Sequence, residues 1–212
     1  IIPGAIGAGV IQINLLIDVI LASFLPTGSV SYLYYAERIN QLPIALIGVA
    51  IGTALLPTLS QQISSNKNKE ANYTQNRALG FSILLTLPAA IAIFILANPI
   101  ISCFFERGEF ISQDRILAAK ALQAFAVGIP AYVFVKVLIP AFFARQNTVT
   151  PVKIASFCVL INFLLNIILM QYYQHVGIAM ATAIASWTNA FLLFLVLYKS
   201  RQVEIDEKLK KL

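Results

Sequence analysis

Tyr34, Glu37, Arg38 and Gln41 stand in a largely apolar stretch between Ser29 and Ser60. Their spacing of i, i+3, i+4 and i+7 places them on one face of a helix. About thirty residues of helix rise about 45 Å, more than the roughly 30 Å of a bilayer's hydrocarbon core, so the stretch is expected to span a membrane with Arg38 about 12 Å inside it. A charge held at that depth has to face protein or a water-filled cavity rather than lipid. In a wet cavity the planar guanidinium is a ready clamp for a phosphate or carboxylate. An interhelical salt bridge or a snorkelling arginine would use the same residue types. Glu37 and Arg38 point about 100° apart on the helix, so each is expected to find its main partner elsewhere.

A second set of polar residues lies on other apolar stretches. Asp18 follows Asn14 by one turn, Asn162 and Asn166 are four apart, and Thr182, Ser186 and Asn189 form a stripe at i, i+4 and i+7. One carboxylate, amide oxygens and a hydroxyl are hard oxygen ligands of the kind a small cation such as Na⁺ takes. Ordinary interhelical hydrogen bonding among Asn and Thr is the competing reading, but Asp18 must still be paired, protonated or metal-bound. Lys136, on another apolar stretch, could pair with Asp18 or Glu37, line the same cavity as Arg38, or snorkel.

The elements that would carry these residues follow from composition and punctuation. The chain has 212 residues, 59% hydrophobic and only 11% charged, with a mean hydropathy of +0.82. Soluble domains are nearer 45–50% apolar and about 25% charged, so this is expected to be an all-α, polytopic membrane protein. Six spans are expected at about 3–25, 29–60, 77–97, 115–144, 150–172 and 176–198, followed by a charged cytoplasmic tail, 200–212. Gln61 to Asn76 is expected to be a polar loop, and His175 a loop residue. Pro26-Thr27-Gly28 closes the first span as a turn, Pro43 is expected to kink the second, and Gly48-x-x-x-Gly52 to admit a close helix neighbour. The start at Ile1-Ile2-Pro3 reads as a piece of something longer.

Ten of the fifteen Lys and Arg (Lys67, Lys69, Arg77, Arg145, Lys153, Lys199, Arg201, Lys208, Lys210 and Lys211) fall on one side of this topology. That side, with both termini, is expected to be cytoplasmic. The net charge of +6 is then a topology signal, and no basic folded surface suggests nucleic-acid binding. Cys103 and Cys158 lack metal-ligand spacing and are not expected to pair. No nucleophile–base pair and no phosphate loop is apparent, so an enzyme or an ATP-driven pump is not expected.

The run GSVSYLYYAERINQLPIALIGVAIGTALLPTLS, with VKVLIPAFFARQNTVTPVKIA at Val135 to Ala155, resembles the MurJ (MviN) lipid II flippase family, relatives of the multidrug and toxin extruders. The resemblance implies one six-helix lobe of a two-lobed, MATE-like transporter of the bacterial inner membrane, lacking its N-terminal lobe and two last helices. It implies lipid II and membrane lipids as partners, with no covalent chemistry. It makes Arg38 the lobe's cavity arginine for the substrate pyrophosphate, with Glu37 where an acidic residue is usual and Gln41 one turn further along the cavity wall; Tyr34, from the stripe, and Lys136, from its span, complete the expected substrate contacts. It also implies a possible sodium site at Asp18, Asn162, Asn166, Thr182 and the Ile178 carbonyl, where Asn166 replaces a carboxylate usual in sodium-binding members. A cation-coupled multidrug or polysaccharide-lipid exporter, and a non-transporting membrane scaffold, are the alternatives.

Overall fold

The computed structural model describes residues 2–200, which are all-helical. In order they form α1 (Ile2–Ser23), α2 (Ser29–Pro43), a π-helical turn (Ile44–Val49), α3 (Ala50–Ser64), α4 (Asn68–Ile95), α5 (Ala97–Phe105), α6 (Ser112–Phe143) and α7 (Val149–Lys199). Four stretches are long and apolar enough to cross a membrane: Ser29–Ser64, Asn68–Ile95, Ser112–Phe143 and Val149–Lys199. The last is broken at Gln174, whose φ of 52° and ψ of −133° are not helical. Its arms, 149–173 and 175–199, fold back on each other, because Asn162 reaches Thr182 at 3.1 Å. An unbroken helix would hold these two about 30 Å apart.

α6 is the central element, packed against α2, the π-helical turn, α3, α4, α5 and α7. Small residues make this possible: Ala118, Ala119, Ala121, Ala126 and Ala131 are all buried along it, and small side chains let membrane helices approach closely. The helix through α2 and α3 runs parallel to α6, since Tyr32 meets Asp114 and Gly52 meets Lys136. α4 runs antiparallel to it, with Gln75 donating to the Val137 carbonyl and Gln123 to that of Phe94.

Three polar connections gather at one end. Tyr32 donates to Asp114 Oδ1 at 2.5 Å, Asp114 Oδ2 accepts from the Ile111 amide at 2.9 Å, and the Tyr32 and His175 rings lie 5.3 Å apart. His175 is therefore not a solvated loop residue. It is buried, with Nε2 3.0 Å from the Leu117 carbonyl, because the chain reversal at Gln174 tucks its ring under α6. Beside this cluster, the half-buried Glu106 carboxyl is held below its ordinary value by the Ser102 hydroxyl first, then by Ser112 and Arg115. A lowered carboxyl contributes stability above its unfolded pKa, here about 4.5, and loses it as pH falls through the lower folded value. Acidification below about pH 4.5, not alkali, should thus loosen the α5–α6 connection, seen as faster amide exchange at 106–112.

At the other end lie the α3–α4 turn, the α6–α7 turn and the end of α7, around a core of Leu55, Leu59, Phe142, Leu193 and Leu197. The expected polar loop Gln61–Asn76 is mostly helix: α3 continues to Ser64 and α4 begins at Asn68. The segment contains no Gly or Pro, the two strongest helix breakers, so leaving the bilayer gives its helices no reason to stop. Only the turn at Asn66, φ 56°, separates them. The charged tail expected at 200–212 lies outside the described residues from 201 onward.

At Pro43, where a kink is expected, the helix widens. Lacking an N–H and crowding the preceding turn, the proline is followed by six residues of π-helix, the wider winding that restores backbone pairing after such a disruption. The π turn carries Gly48, and Gly52 follows it one turn later. A Cβ on Gly52 would stand 2.8 Å from the Lys136 carbonyl oxygen, so the expected close contact exists and its partner is α6. Gly52→Ala should therefore destabilise the protein by about 1–3 kcal/mol, as overpacking of a fixed backbone contact does, measured as a lower unfolding temperature in detergent.

Candidate functional site

The first polar cluster forms where α1 crosses the two arms of α7. Asn166 Nδ2 donates to Asp18 Oδ1 at 2.6 Å and contacts Asn162 Oδ1 at 2.9 Å. Thr182 Oγ1 lies 3.3 Å from Asp18 Oδ2 and 2.9 Å from the Ile178 carbonyl; its single proton serves one of them at a time. Turned over, the Asn162 amide donates to Asn14 Oδ1 and Asp18 Oδ1, both at 3.1 Å, and accepts from Thr182 Oγ1. Asn162 and Asn166 are almost wholly buried, at 1% and 0% exposure.

This gathers every residue of the predicted cation set, Asp18, Asn162, Asn166, Thr182 and the Ile178 carbonyl, and adds Asn14 from the previous turn of α1. Ser186 joins only through the Thr182 backbone carbonyl, at 2.9 Å. Asn189 stays outside the cluster, its buried Oδ1 unpaired. The donor set fits a hard monovalent cation. Asn166 Oδ1 is buried with no hydrogen-bond donor facing it; with the amide turned over from its present donation to Asp18 and Asn162 it would offer an oxygen to a cation, and the other ligating atoms are all oxygens. Among the described residues no group of three or more His, Cys, Asp or Glu is assembled, so a transition-metal site is not what this arrangement resembles.

The second cluster is the α2 stripe. Arg38 Nη1 donates to Gln41 Oε1 at 3.2 Å, and Gln41 Nε2 donates to Glu37 Oε1 at 2.9 Å. The guanidinium lies over the Tyr34 ring, Cζ 4.6 Å from its centroid. Gln41 thus stands between cation and carboxylate, giving its amide oxygen to one and its N–H to the other. The two charges do not collapse into an ion pair, and Arg38 and Gln41 are exposed. Most of the five guanidinium donors remain free for an anion. Glu37 is half-buried.

Lys136 joins neither cluster by a salt bridge. The ion pairs among the described residues are Lys67–Glu70 and Arg115–Glu106. Its stem packs against Gly48, Cβ and Cγ at 3.5 Å from where a Cβ would be, and its side chain is exposed. Gly48 is about ten residues beyond Arg38, so Lys136 sits about 15 Å further along the same helical wall. Sequence reasoning had no signal for this offset, which depends on the register between α3 and α6. Cys103 and Cys158 are free thiols.

With this geometry in view, similarity to known proteins is decisive. A family model described as "Lipid II flippase MurJ" matches residues 1–212. The chain belongs to the MurJ family. It is 41% identical over 208 residues to the "Probable lipid II flippase MurJ" of Rickettsia prowazekii (strain Madrid E), a match covering 98% of this chain and 41% of that protein. Among solved structures it resembles "Lipid II flippase MurJ, inward closed conformation", with a TM-score of 0.82 at 35% identity, covering 92% of this chain and 41% of the other. An outward-facing multidrug resistance MATE family transporter of the MOP superfamily aligns at a TM-score of 0.86 over 98% of this chain and 46% of its own. At 18% identity that likeness speaks for fold alone. The chain therefore spans about two fifths of the length of these MurJ relatives, and it is a multi-pass membrane segment of the same architecture.

Proposed function

We propose that this chain is one six-span lobe of a lipid II flippase. In the complete protein it faces a second lobe across a central cavity and moves the lipid-linked peptidoglycan precursor between leaflets of the bacterial inner membrane. The observation that carries this is the match of the family model to residues 1–212, joined to an exposed Arg38 whose neighbours leave its donors free. In this reading the α3–α4 turn, the α6–α7 turn and both ends of the chain are cytoplasmic, following the excess of Lys and Arg on that side. The head group enters the cavity there and leaves on the opposite face as the lobes rock, while the lipid tail stays in the bilayer.

Arg38 binds the pyrophosphate, Tyr34 holds the guanidinium flat, and Gln41 keeps Glu37 from neutralising it. Lys136 adds a second positive charge nearer the cytoplasmic mouth than Arg38. Asp18, Asn162, Asn166, Thr182 and the Ile178 carbonyl would hold a sodium ion. Bound there, the ion would supply a positive charge that offsets Asp18. The cluster ties α1 to both arms of α7, so its state bears on how these helices move together.

The test is complementation of a bacterium depleted of its own flippase, using the full-length protein that contains this segment and the segment alone. Rescue by the full-length chain only supports the reading. Absence of rescue by the full-length chain, despite good membrane expression, refutes lipid II as the substrate and favours an exporter of other amphiphiles.

A further inference from the structure

Away from both clusters, a single charge stands on the outer face of α4. Its exposed side carries Tyr73, Arg77, Phe81, Leu84, Ile91 and Ile95, one stripe by helical spacing. The opposite side packs against α3 and α6. Arg77 lies between two rings, its Cζ 5.8 Å from the Tyr73 centroid and 5.6 Å from that of Phe81. It forms no ion pair among the described residues. After it, the chain has no charged residue until Glu106.

Two features make this more than a solvated surface arginine. The two rings flank an exposed guanidinium at cation–π distance, and its five N–H donors make no ion pair among the described residues. From Phe81 to Ile95 the stripe then runs about 21 Å without polarity, longer than the roughly 15 Å of one leaflet's hydrocarbon. The result is a cation with planar donors at the aqueous margin, followed by an apolar track of acyl-chain length. An aromatic girdle at this level is where membrane proteins meet head groups.

We propose that Arg77, framed by Tyr73 and Phe81, binds the head-group phosphate of an anionic phospholipid, phosphatidylglycerol, whose acyl chains lie along Leu84, Ile91 and Ile95. The guanidinium takes two phosphate oxygens through its fork. A zwitterionic head group brings its own ammonium against Arg77, so the anionic lipid is preferred. One basic side chain near a membrane surface is worth about 1 kcal/mol of attraction, about a fivefold change in affinity. This inference depends on the membrane placement of α4 and not on lipid II as substrate.

The experiment uses the purified full-length protein in mild detergent, titrated with dioleoyl-phosphatidylglycerol, dioleoyl-phosphatidylcholine or inorganic phosphate while thermal unfolding is followed. Phosphatidylglycerol should raise the unfolding temperature of the wild type, and phosphatidylcholine and inorganic phosphate should not. R77A should need about five times more phosphatidylglycerol for the same shift, R77K should fall between, and K69A should titrate like the wild type. If R77A does not fold, F81L, which keeps the charge and removes one ring, should weaken the response in the same direction. An R77A or F81L response equal to the wild type's overturns the proposal. So do equal responses to phosphatidylcholine or to inorganic phosphate. Displacement of phosphatidylglycerol by a lipid-linked pyrophosphate would assign the stripe to the substrate instead, and also overturns it.

Discussion

Replacing Arg38 with alanine in the full-length protein should cut head-group translocation about ten- to a hundredfold while leaving the protein folded. A charge-assisted hydrogen bond contributes about 1.5–3 kcal/mol, and a bidentate guanidinium–phosphate contact lies at the upper end of that range. The fold should survive, because Arg38 is exposed and its contacts are Gln41 and the face of Tyr34; no buried acceptor loses its donor when it goes. Arg38→Lys keeps the charge and loses the fork, so it should recover only part of the rate. Gln41→Ala gives the more discriminating result. Without the bridging amide, Arg38 and Glu37 are free to pair directly, so the variant should be slow although both charged residues remain. Glu37→Gln added to it should restore activity, since the competing carboxylate is then gone. Translocation in reconstituted vesicles is the measurement. Unchanged transport in Arg38→Ala would remove this arginine from substrate binding.

The readability of the chain divides along physical lines. Residues whose chemistry is expensive in a membrane stood out without any structure: Asp18 and Arg38 had to find polar company, and each did. The reversal between the arms of α7 falls at Gln174, inside the short polar connection the sequence indicates. Gly48 and Gly52 marked a close contact, though the sequence could not say that α6 fills it. What stayed hidden depended on register and on the limits of polarity as a guide. Helices do not end where the bilayer does, so Gln61–Asn76 read as loop and folded as helix. His175 is polar and next to a turn, yet the direction of the reversal buries it against Leu117. The π-helical turn after Pro43 has no composition signal of its own. Proline announces a disturbance but not whether the helix answers by bending or by widening.

Substitutions at Asp18 and Asn166 should shift the protein's response to sodium in opposite directions. Asp18 is the only carboxylate in its cluster, and at an effective dielectric near 20 a carboxylate about 4 Å from a cation is worth about 4 kcal/mol. Even half of that is about thirtyfold in affinity. Asp18→Asn keeps the shape and leaves an oxygen for the Asn166 amide, so the fold should persist while stabilisation by sodium disappears. Asn166→Asp adds a second carboxylate beside the first. In sodium-free choline buffer the like charges should lower the unfolding temperature, and the amide donation to Asp18 at 2.6 Å is lost as well. In sodium the same pair should hold the ion more tightly, giving a steeper rise in stability with concentration, as ligand linkage requires. Wild type should fall between the two, its single charge and its unpaired Asn166 oxygen making a weaker site. Thermal unfolding against sodium concentration, with potassium as control, reads all three. If the three proteins respond alike, the cluster is a hydrogen-bonded tie between α1 and α7 and holds no ion, and any coupling of transport to a gradient has to enter elsewhere in the full-length protein.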